Sequence, residues 1–371
     1  MIITFPRMGN VHICIKALLD EFDIDYIIPE QNSKRTLEMG TSHCPEGACL
    51  PLKITIGNII NGCKRGADTL LTVGGSGPCR FGYYCEMQRE ILNDIGYPID
   101  VITLESVNGD FLELVRRIKK ITGKLNPLKW ASSFLGVAKL SEKVDELEAL
   151  CQKKRAREVK KGSTEKIYKK FNKDIYEIKG KKNIKDFIES TKCEVANIET
   201  DENISPIKIK IVGEIYTAID PFTNMFLEKT LGDMGIEVVR PVTISNWVIE
   251  HMLKKGIGLK RDLTFAEEAK PYLKTLIGGH AQETVGNTII AAKNNFDGVI
   301  QVYPLGCMPE IVAQSILEPV SRDFDIPVLT LIIDEMTGEQ GYLTRIEAFV
   351  ELLKQRRENK KSNYGFFNYK T

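Results

Sequence analysis

Short apolar runs alternate with longer segments of helical periodicity in the first hundred residues of the chain. The predicted strands cover residues 2–5, 25–29, 69–73 and 99–104, and the predicted helices cover residues 12–21, 51–64 and 83–95. Regular alternation of this kind predicts a parallel, doubly wound sheet with helices packed on its faces.

The same alternation begins again at residue 207. The predicted strands there cover residues 207–215, 237–240, 299–303 and 328–333, and the predicted helices cover residues 224–234, 244–254, 265–276, 284–294, 309–320 and 342–355. We therefore expect an α/β protein with two Rossmann-like lobes, each built on a parallel sheet. The lobes are predicted to occupy residues 1–110 and 205–356, with the carboxyl ends of their strands facing a shared cleft, and a polar, frayed tail is predicted over residues 357–371.

The segment between the lobes, residues 111–204, is helical in pattern and basic. Residues 111–192 hold 23 Lys and Arg against 11 Asp and Glu, whereas the whole 371-residue chain has a net charge of +1. Glycines and a proline interrupt the pattern at residues 123–127, 162–163 and 180. We expect a helical insertion or connector whose lysines either keep it solvated or dock an acidic electron donor or substrate phosphates. Nucleic acid is the weaker interpretation, because no reader motif or interleaved aromatic residues accompany the charge.

Composition narrows the class of protein further. No run approaches the ~18 apolar residues of a membrane span, and the amino terminus lacks the features of a signal peptide, so we expect a cytoplasmic protein with no membrane partner. In such a reducing compartment the nine cysteines are not expected to form disulfides. Clustered cysteines in loops more often bind metal or take part in chemistry.

Three cysteines lie in loops next to predicted regular structure. Cys79 and Cys307 follow buried strands, and Cys49 precedes a helix that begins at a proline. The carboxyl ends of parallel strands meet at one edge of a sheet, where helix amino termini favour negative charge. A metal-thiolate centre suits that edge, so we predict an iron-sulfur site with these three cysteines as metal ligands. Cys44 and Cys85 are secondary candidates, since regular structure constrains them less.

The remaining candidates have weaker support. The spacings of Cys44 to Cys49 and of Cys79 to Cys85 differ from the two-residue spacing of zinc ribbons. The stretch Gly74-Gly75-Ser76-Gly77 is not an ATP-binding Walker loop, and its glycines would let the backbone approach a cluster. His43 and His280 either donate protons near the site or only make loop hydrogen bonds. The other cysteines are expected to be core residues or incidental: Cys14 and Cys63 in the core, and Cys151 and Cys193 incidental.

Several motifs together resemble one known family. They are Ala48-Cys49-Leu50-Pro51-Leu52-Lys53, Gly77-Pro78-Cys79-Arg80-Phe81-Gly82-Tyr83-Tyr84, Gly213-Glu214-Ile215-Tyr216, Gly278-Gly279-His280 and Gly306-Cys307-Met308-Pro309-Glu310. In these stretches the chain resembles the stand-alone relatives of the 2-hydroxyacyl-CoA dehydratase subunits, often labelled CoA protein activase or activase-related proteins. The resemblance covers both α/β halves and is weak or absent across the basic segment.

The resemblance implies a [4Fe-4S] cluster between the two lobes, held by Cys49, Cys79 and Cys307. It also implies an anaerobic role in which an ATP-dependent activase supplies an electron for reductive or radical dehydration of an acyl-CoA or a small molecule. The protein would then be an acyl-CoA dehydratase-like lyase or an ATP-coupled reductase component, as a homodimer or a heterodimer. Two bridged cubanes would need about six cysteines, and only five lie in the loops. Two alternatives stay open: a non-catalytic cluster carrier or electron relay, and a metal-free interaction protein.

Overall fold

The computed structural model describes residues 1–74, 79–103, 111–123, 126–250 and 263–367, with the side chains of 111–115, 118, 127 and 361–367 left aside. Two parallel sheets organise the described chain. The first has the strand order β1-β2-β3 and contains β1 (Ile3–Thr4), β2 (Thr69–Thr72) and β3 (Asp100–Thr103). The second has the order β5-β4-β6-β7 and contains β4 (Lys208–Gly213), β5 (Glu237–Val239), β6 (Gly298–Pro304) and β7 (Val328–Ile333). The predicted α/β class with parallel sheets is confirmed.

Strands β2 and β6 each have a neighbouring strand on both sides. Every residue of β2 and of β6 is buried, as expected for parallel strands covered by helices on both faces. The predicted strand over residues 25–29 is wrong, because this segment forms only a single bridge between Tyr26 and Ile3. The reason is that β1 is two residues long, which leaves room for no longer ladder.

Four helices accompany the first sheet. They are α1 (Val11–Glu21), α2 (Lys34–Thr41), α3 (Leu50–Lys64) and α4 (Tyr84–Asp94), the last preceded by a 3₁₀ turn, Arg80–Tyr83. Helix α3 is buried around most of its circumference. Leu50 and Ile54 on one side join the core of the second sheet, whereas Leu52 and Ile56 join the core of the first. The two lobes therefore pack directly on each other through α3.

Four helices lie between the two sheets in the chain. They are α5 (Phe111–Thr122), α6 (Pro127–Arg155), α7 (Ser163–Asp174) and α8 (Lys181–Ala196). The predicted interruptions near residues 123–127, 162 and 180 are confirmed, since helices end or begin at each. Leu147, Phe171 and Ile184 form a core with Ile13 of α1. The connector is thus packed onto the first lobe on one side, while its charges cover the outside.

Seven helices accompany the second sheet. They are α9 (Ile215–Ile219), α10 (Leu227–Asp233), α11 (Ile244–Trp247), α12 (Thr264–Ala269), α13 (Ala281–Lys293), α14 (Met308–Asp323) and α15 (Glu339–Phe367). The helix predicted over residues 265–276 ends earlier, at Ala269, because Pro271 has no N–H with which to continue the helical hydrogen bonds. Residues 251–254 of another predicted helix, and Leu104 at the end of a predicted strand, lie outside the described residues.

The frayed tail predicted from residue 357 is wrong as far as Phe367, because α15 continues to that residue. Arg356 donates to Asp325 Oδ1 at 2.7 Å, and Arg357 donates to the Ser205 carbonyl oxygen at 2.8 Å, so the helix is held against the second lobe. Within the ranges described above, no helix is both long and apolar enough to cross a lipid bilayer.

Candidate functional site

Each of the three predicted ligands occupies the N-cap position of a helical segment. Cys49 precedes α3, Cys79 precedes the 3₁₀ turn Arg80–Tyr83, and Cys307 precedes α14. All three are half-buried and free of disulfides. A proline lies in the first turn of α3 and of α14, where its missing N–H leaves no hydrogen bond unmade. Residues 75–78, which hold most of the glycine-rich stretch before Cys79, lie outside the described residues.

The side chain of Arg80 ties the three cysteine loops together. It follows Cys79 directly, and its guanidinium donates to the Gly47 carbonyl oxygen at 3.0 Å and to the Gly306 carbonyl oxygen at 2.8 Å. These acceptors lie two residues before Cys49 and one residue before Cys307. Gly306 has a φ of +78°, a conformation that a residue with a Cβ rarely adopts. One side chain thus fixes the loops of both lobes relative to each other.

Glu214 is the acidic residue of this site, as Arg80 is the basic one. Its carboxylate caps α9 by accepting from the backbone N–H groups of Tyr216 at 3.0 Å and Thr217 at 2.9 Å. It follows Gly213, whose φ is +134° and whose added Cβ would lie 1.9 Å from the Val302 carbonyl oxygen. Only glycine fits there, because a side chain would collide with the neighbouring strand. The close approach of β4 and β6 therefore sets the position of Glu214.

The charge of Glu214 acts on all three thiols. Burial raises the pKa of all three thiols, and that of Cys49 to about 11. The negative charge of Glu214 raises each of these pKa values further. Arg80 opposes this effect at Cys49 and Cys79. Burial likewise raises the pKa of Glu214 itself. The site therefore holds its thiols as neutral groups until a positive charge or a metal stabilises the thiolates.

Tyr84 is the polar group closest to Cys49. Its buried hydroxyl is hydrogen-bonded to the Cys49 sulfur. This hydrogen bond lowers the pKa of Cys49 against the larger effect of burial, and burial together with the Cys49 charge raises the pKa of Tyr84. Tyr84 thus favours a negative charge on that sulfur over one on its own oxygen.

Behind Cys307 lies a fully buried carboxyl group. Glu310 accepts from Thr284 Oγ1 at 3.0 Å and from Gln301 Nε2 at 2.9 Å. Burial raises its pKa to about 7, and the two hydrogen bonds oppose that shift. Glu310 can therefore hold a proton near neutral pH beside the third cysteine loop.

A small cavity of about 240 Å³ adjoins this part of the site. His280, Glu283, Trp247 and Ile215 are among its lining residues, and Ile215 directly follows Glu214 in the chain. Burial raises the pKa of Glu283 to about 7, and the His280 ring lies 4.0 Å from that carboxylate. The cavity thus offers a carboxyl group that can hold a proton near neutral pH, with an imidazole ring beside it.

The structure places the other candidates around or away from this site. Cys44 is half-buried with a pKa that burial raises to about 12, Cys85 is buried in the first turn of α4, and His43 is exposed. Cys14 is a core residue as predicted. Cys63 is half-buried and packs against the core of the first sheet. The prediction that Cys151 is incidental is wrong, because it is buried in the connector core, whereas Cys193 is exposed.

Sequence reasoning gave no role to Arg80, Glu214 or Tyr84. Arg80 and Tyr84 stand in the motif that contains Cys79, and Glu214 follows a glycine at the end of a strand, so the signals were present. Their importance depends on contacts with residues far away in the chain, which spacing alone does not reveal.

Neither the grouping of possible metal ligands nor a comparison with known proteins identifies the site. Across the described ranges, no group of three or more His, Cys, Asp or Glu side chains converges closely enough to hold a metal ion. No protein-family model matches the chain, and a search of curated proteins found no match. The chemistry of the site must therefore carry the functional argument.

Proposed function

We propose that this chain is an iron-sulfur protein that holds a [4Fe-4S] cluster on Cys49, Cys79 and Cys307 between two Rossmann-like lobes. In this proposal it receives electrons from an ATP-dependent activase or another donor and serves reductive or radical dehydration chemistry in the cytoplasm. The observation that carries the proposal is the pair of Arg80 hydrogen bonds that gather the three cysteine loops. Nine cysteines without a disulfide suit a reducing compartment.

The donor set suits a cluster better than a single ion. Thiolates are the usual ligands of four-iron clusters, and such a cluster spaces its ligands more widely than one ion does. Three protein ligands would leave one iron open to another ligand. Each thiol lies at a helical amino terminus, and a favourable terminus stabilises negative charge by about 0.3 to 1 kcal/mol.

The residues around the cysteines would compensate the charge of the thiolates and take up protons. Arg80 would offset the negative charge of the thiolates, and Tyr84 would hydrogen-bond the Cys49 sulfur. Glu214, whose pKa is raised by burial, would take up a proton as negative charge accumulates nearby. The cluster, when bound, would supply one-electron transfer.

A substrate would have to fit the space beside these loops. The cavity next to Ile215 is about 240 Å³, which is below the roughly 300 to 1,000 Å³ of ordinary ligand pockets. It suits a small molecule or the acyl end of a thioester rather than a whole CoA. The basic outer face of the connector would suit docking of an acidic electron donor.

A specific observation favours the metal-free alternative. Burial raises the pKa of all three thiols, as it does for cysteines that only pack, and no described set of side chains converges on one point. An interaction protein would have the same features. The two candidates differ in whether the purified protein contains iron and acid-labile sulfide.

The decisive experiment is anaerobic purification with iron and sulfide analysis of cysteine variants. We expect about four irons per chain in the parent and loss of iron in Cys49→Ala, Cys79→Ala and Cys307→Ala. Cys44→Ala and Cys85→Ala should retain iron, and Cys193→Ala, at an exposed position, is the matched control. Circular dichroism verifies that each variant is folded.

Two outcomes would contradict the proposal. A folded parent protein that binds no iron after anaerobic reconstitution supports the metal-free alternative. If Cys85→Ala loses iron as completely as Cys79→Ala, the three-ligand site is wrong. A spectral change of the reduced protein on adding an acyl-CoA would favour a catalytic role over a cluster carrier or electron relay.

A further inference from the structure

One face of α13 lines the small cavity beside Ile215. His280 at the N-cap, then Glu283 and Asn287, follow each other at spacings of three and four residues, so their side chains lie on one side of that helix. Trp247 of α11 also contributes to the lining. The cavity thus combines a row of polar side chains from one helix with an indole and an aliphatic side chain from other elements.

Gly286 fixes the helix that carries this polar row. A Cβ added to Gly286 would lie 1.9 Å from the Phe265 carbonyl oxygen, because α12 packs directly against α13 at this point. Phe265 and the neighbouring Thr264 also line the cavity. Glu283 and Asn287 are therefore presented from a helix whose position is set by backbone packing.

Asn287 is a buried amide without a partner. Only 7% of this residue is exposed, and its side chain makes no hydrogen bond with any described residue. Its amide atoms are not among the unpaired side-chain atoms that the protein encloses completely, so they keep accessible surface, and they line the cavity. Buried amides are normally hydrogen-bonded. A polar group of a ligand in the cavity would supply the missing partner.

Glu283, one helical turn before Asn287, is a carboxyl group without a cation. Its side chain is 19% exposed, no described residue donates a hydrogen bond to it, and the His280 ring lies 4.0 Å away. Burial raises its pKa to about 7, and no positive charge of a described residue opposes that shift. Above pH 7 the cavity therefore holds a carboxylate that is largely removed from water and lacks a countercharge.

The described lining of the cavity favours a cation. It contains two carboxyl groups, Glu250 and Glu283, and neither lysine nor arginine. An anionic ligand would add a like charge, and a neutral ligand would leave the Glu283 carboxylate uncompensated. An ammonium group would compensate that charge and could also donate to the Asn287 amide oxygen. The Trp247 indole adds to this preference, because the face of an indole ring attracts cations.

We propose that this cavity binds a small organic cation, a short-chain primary amine whose ammonium group lies between Glu283 and Asn287. The apolar part of the amine packs against Ile215 and Trp247. The volume of about 240 Å³ limits the ligand to a few carbon atoms beyond the nitrogen. The proposal concerns the cavity alone and does not depend on a cluster at the cysteine loops.

The test measures binding of isobutylamine to the full chain at pH 8 by isothermal titration calorimetry. Isobutanol is the uncharged probe of the same shape. We expect the amine to bind with a dissociation constant of about 1 mM, as suits so small a ligand, and the alcohol to bind at least about tenfold more weakly because it lacks the charge. Iron analysis of the same preparation reports separately on the cysteine site, so failure of one proposal is distinguishable from failure of the other.

Two variants test the polar row. Glu283→Gln keeps the size of the side chain but removes its charge, so it should weaken amine binding by about tenfold or more, whereas Glu318→Gln, exposed on α14 and outside the lining, should bind as the parent does. Asn287→Leu removes the unpaired amide, so the unfolding temperature should stay unchanged or rise while amine binding weakens severalfold. Either variant decides the question if the other fails to fold. Absence of amine binding at about 10 mM, equal affinities of the amine and the alcohol, or an unchanged affinity in the folded variants overturns the proposal.

Discussion

Removal of the Arg80 side chain should loosen two distant loops at once. Arg80→Ala deletes hydrogen bonds of 3.0 Å to Gly47 and 2.8 Å to Gly306. A hydrogen bond from a charged donor contributes about 1.5 to 3 kcal/mol, and we take about 1 kcal/mol for each here because Arg80 is exposed. The local opening free energy of the two loops should therefore fall by about 2 kcal/mol, which corresponds to about 30-fold faster opening-dependent exchange.

Hydrogen exchange measured by mass spectrometry can test this directly. Peptides that cover residues 44–52 and 304–311 should both lose protection in Arg80→Ala, while the core strands keep theirs. Arg80→Lys retains the charge but presents a single nitrogen, so it should restore protection to one loop at most. Arg89→Ala, which removes only a surface pair with Glu86, is the control. If only one loop changes in Arg80→Ala, or neither does, the reasoning that Arg80 joins the lobes is refuted.

Three further predictions concern the site and the connector. Tyr84→Phe removes the hydrogen bond that favours the Cys49 thiolate, so alkylation of Cys49 at pH 9 should slow severalfold, whereas Tyr83→Phe, 72% exposed, should have no effect. Burial raises the pKa of Glu310 from its ordinary value of 4.5 to about 7 in the folded protein. Between pH 4.5 and pH 7 the folded state therefore binds a proton that the unfolded state has lost, so the free energy of unfolding falls as pH rises through this range. Glu310→Gln should flatten this part of the pH profile and raise the free energy of unfolding at pH 8 by about 3 kcal/mol, and an unchanged profile in urea unfolding contradicts the assignment. Phe171→Ala, at a fully buried connector position stacked on Phe187, should lower the free energy of unfolding by about 3 to 5 kcal/mol, and a loss below 1 kcal/mol would argue against a packed connector.

The fold was predictable wherever local chemistry dominates. Proline and glycine mark the ends of the connector helices at Pro127, Gly162 and Gly180, and apolar runs mark the buried strands. Prediction failed where long-range pairing decides, as at residues 25–29, which lie beside a strand too short to pair with them. It also failed at α15, because residues 357–364 are largely polar but contain neither glycine nor proline, and such a sequence continues a helix as readily as it frays.

The candidate site was predictable in its residue types but not in its organisation. Strand and helix boundaries place Cys49, Cys79 and Cys307 at chain positions where regular structure starts or ends. The two hydrogen bonds of Arg80 join residues that are 33 and 226 positions apart in the sequence. No local sequence pattern predicts contacts between such distant residues. The position of Glu214 depends on a close approach of two strands, of which the sequence shows only Gly213.

Helix α3 determines how a partner could reach the cysteines. Cys49 begins this helix, whose Leu50 and Ile54 are buried in the second lobe and whose Lys53, 2% exposed, pairs with Glu335 in the loop after β7. Separating the lobes would expose both apolar side chains, at about 3 to 6 kcal/mol together, and would also break the buried ion pair. Such a cost makes wide opening of the lobes rare, since it exceeds the free energy of most conformational changes between populated states. Under the proposed function, an electron donor would therefore have to reach the cluster through the existing surface around Arg80 and the cysteine loops.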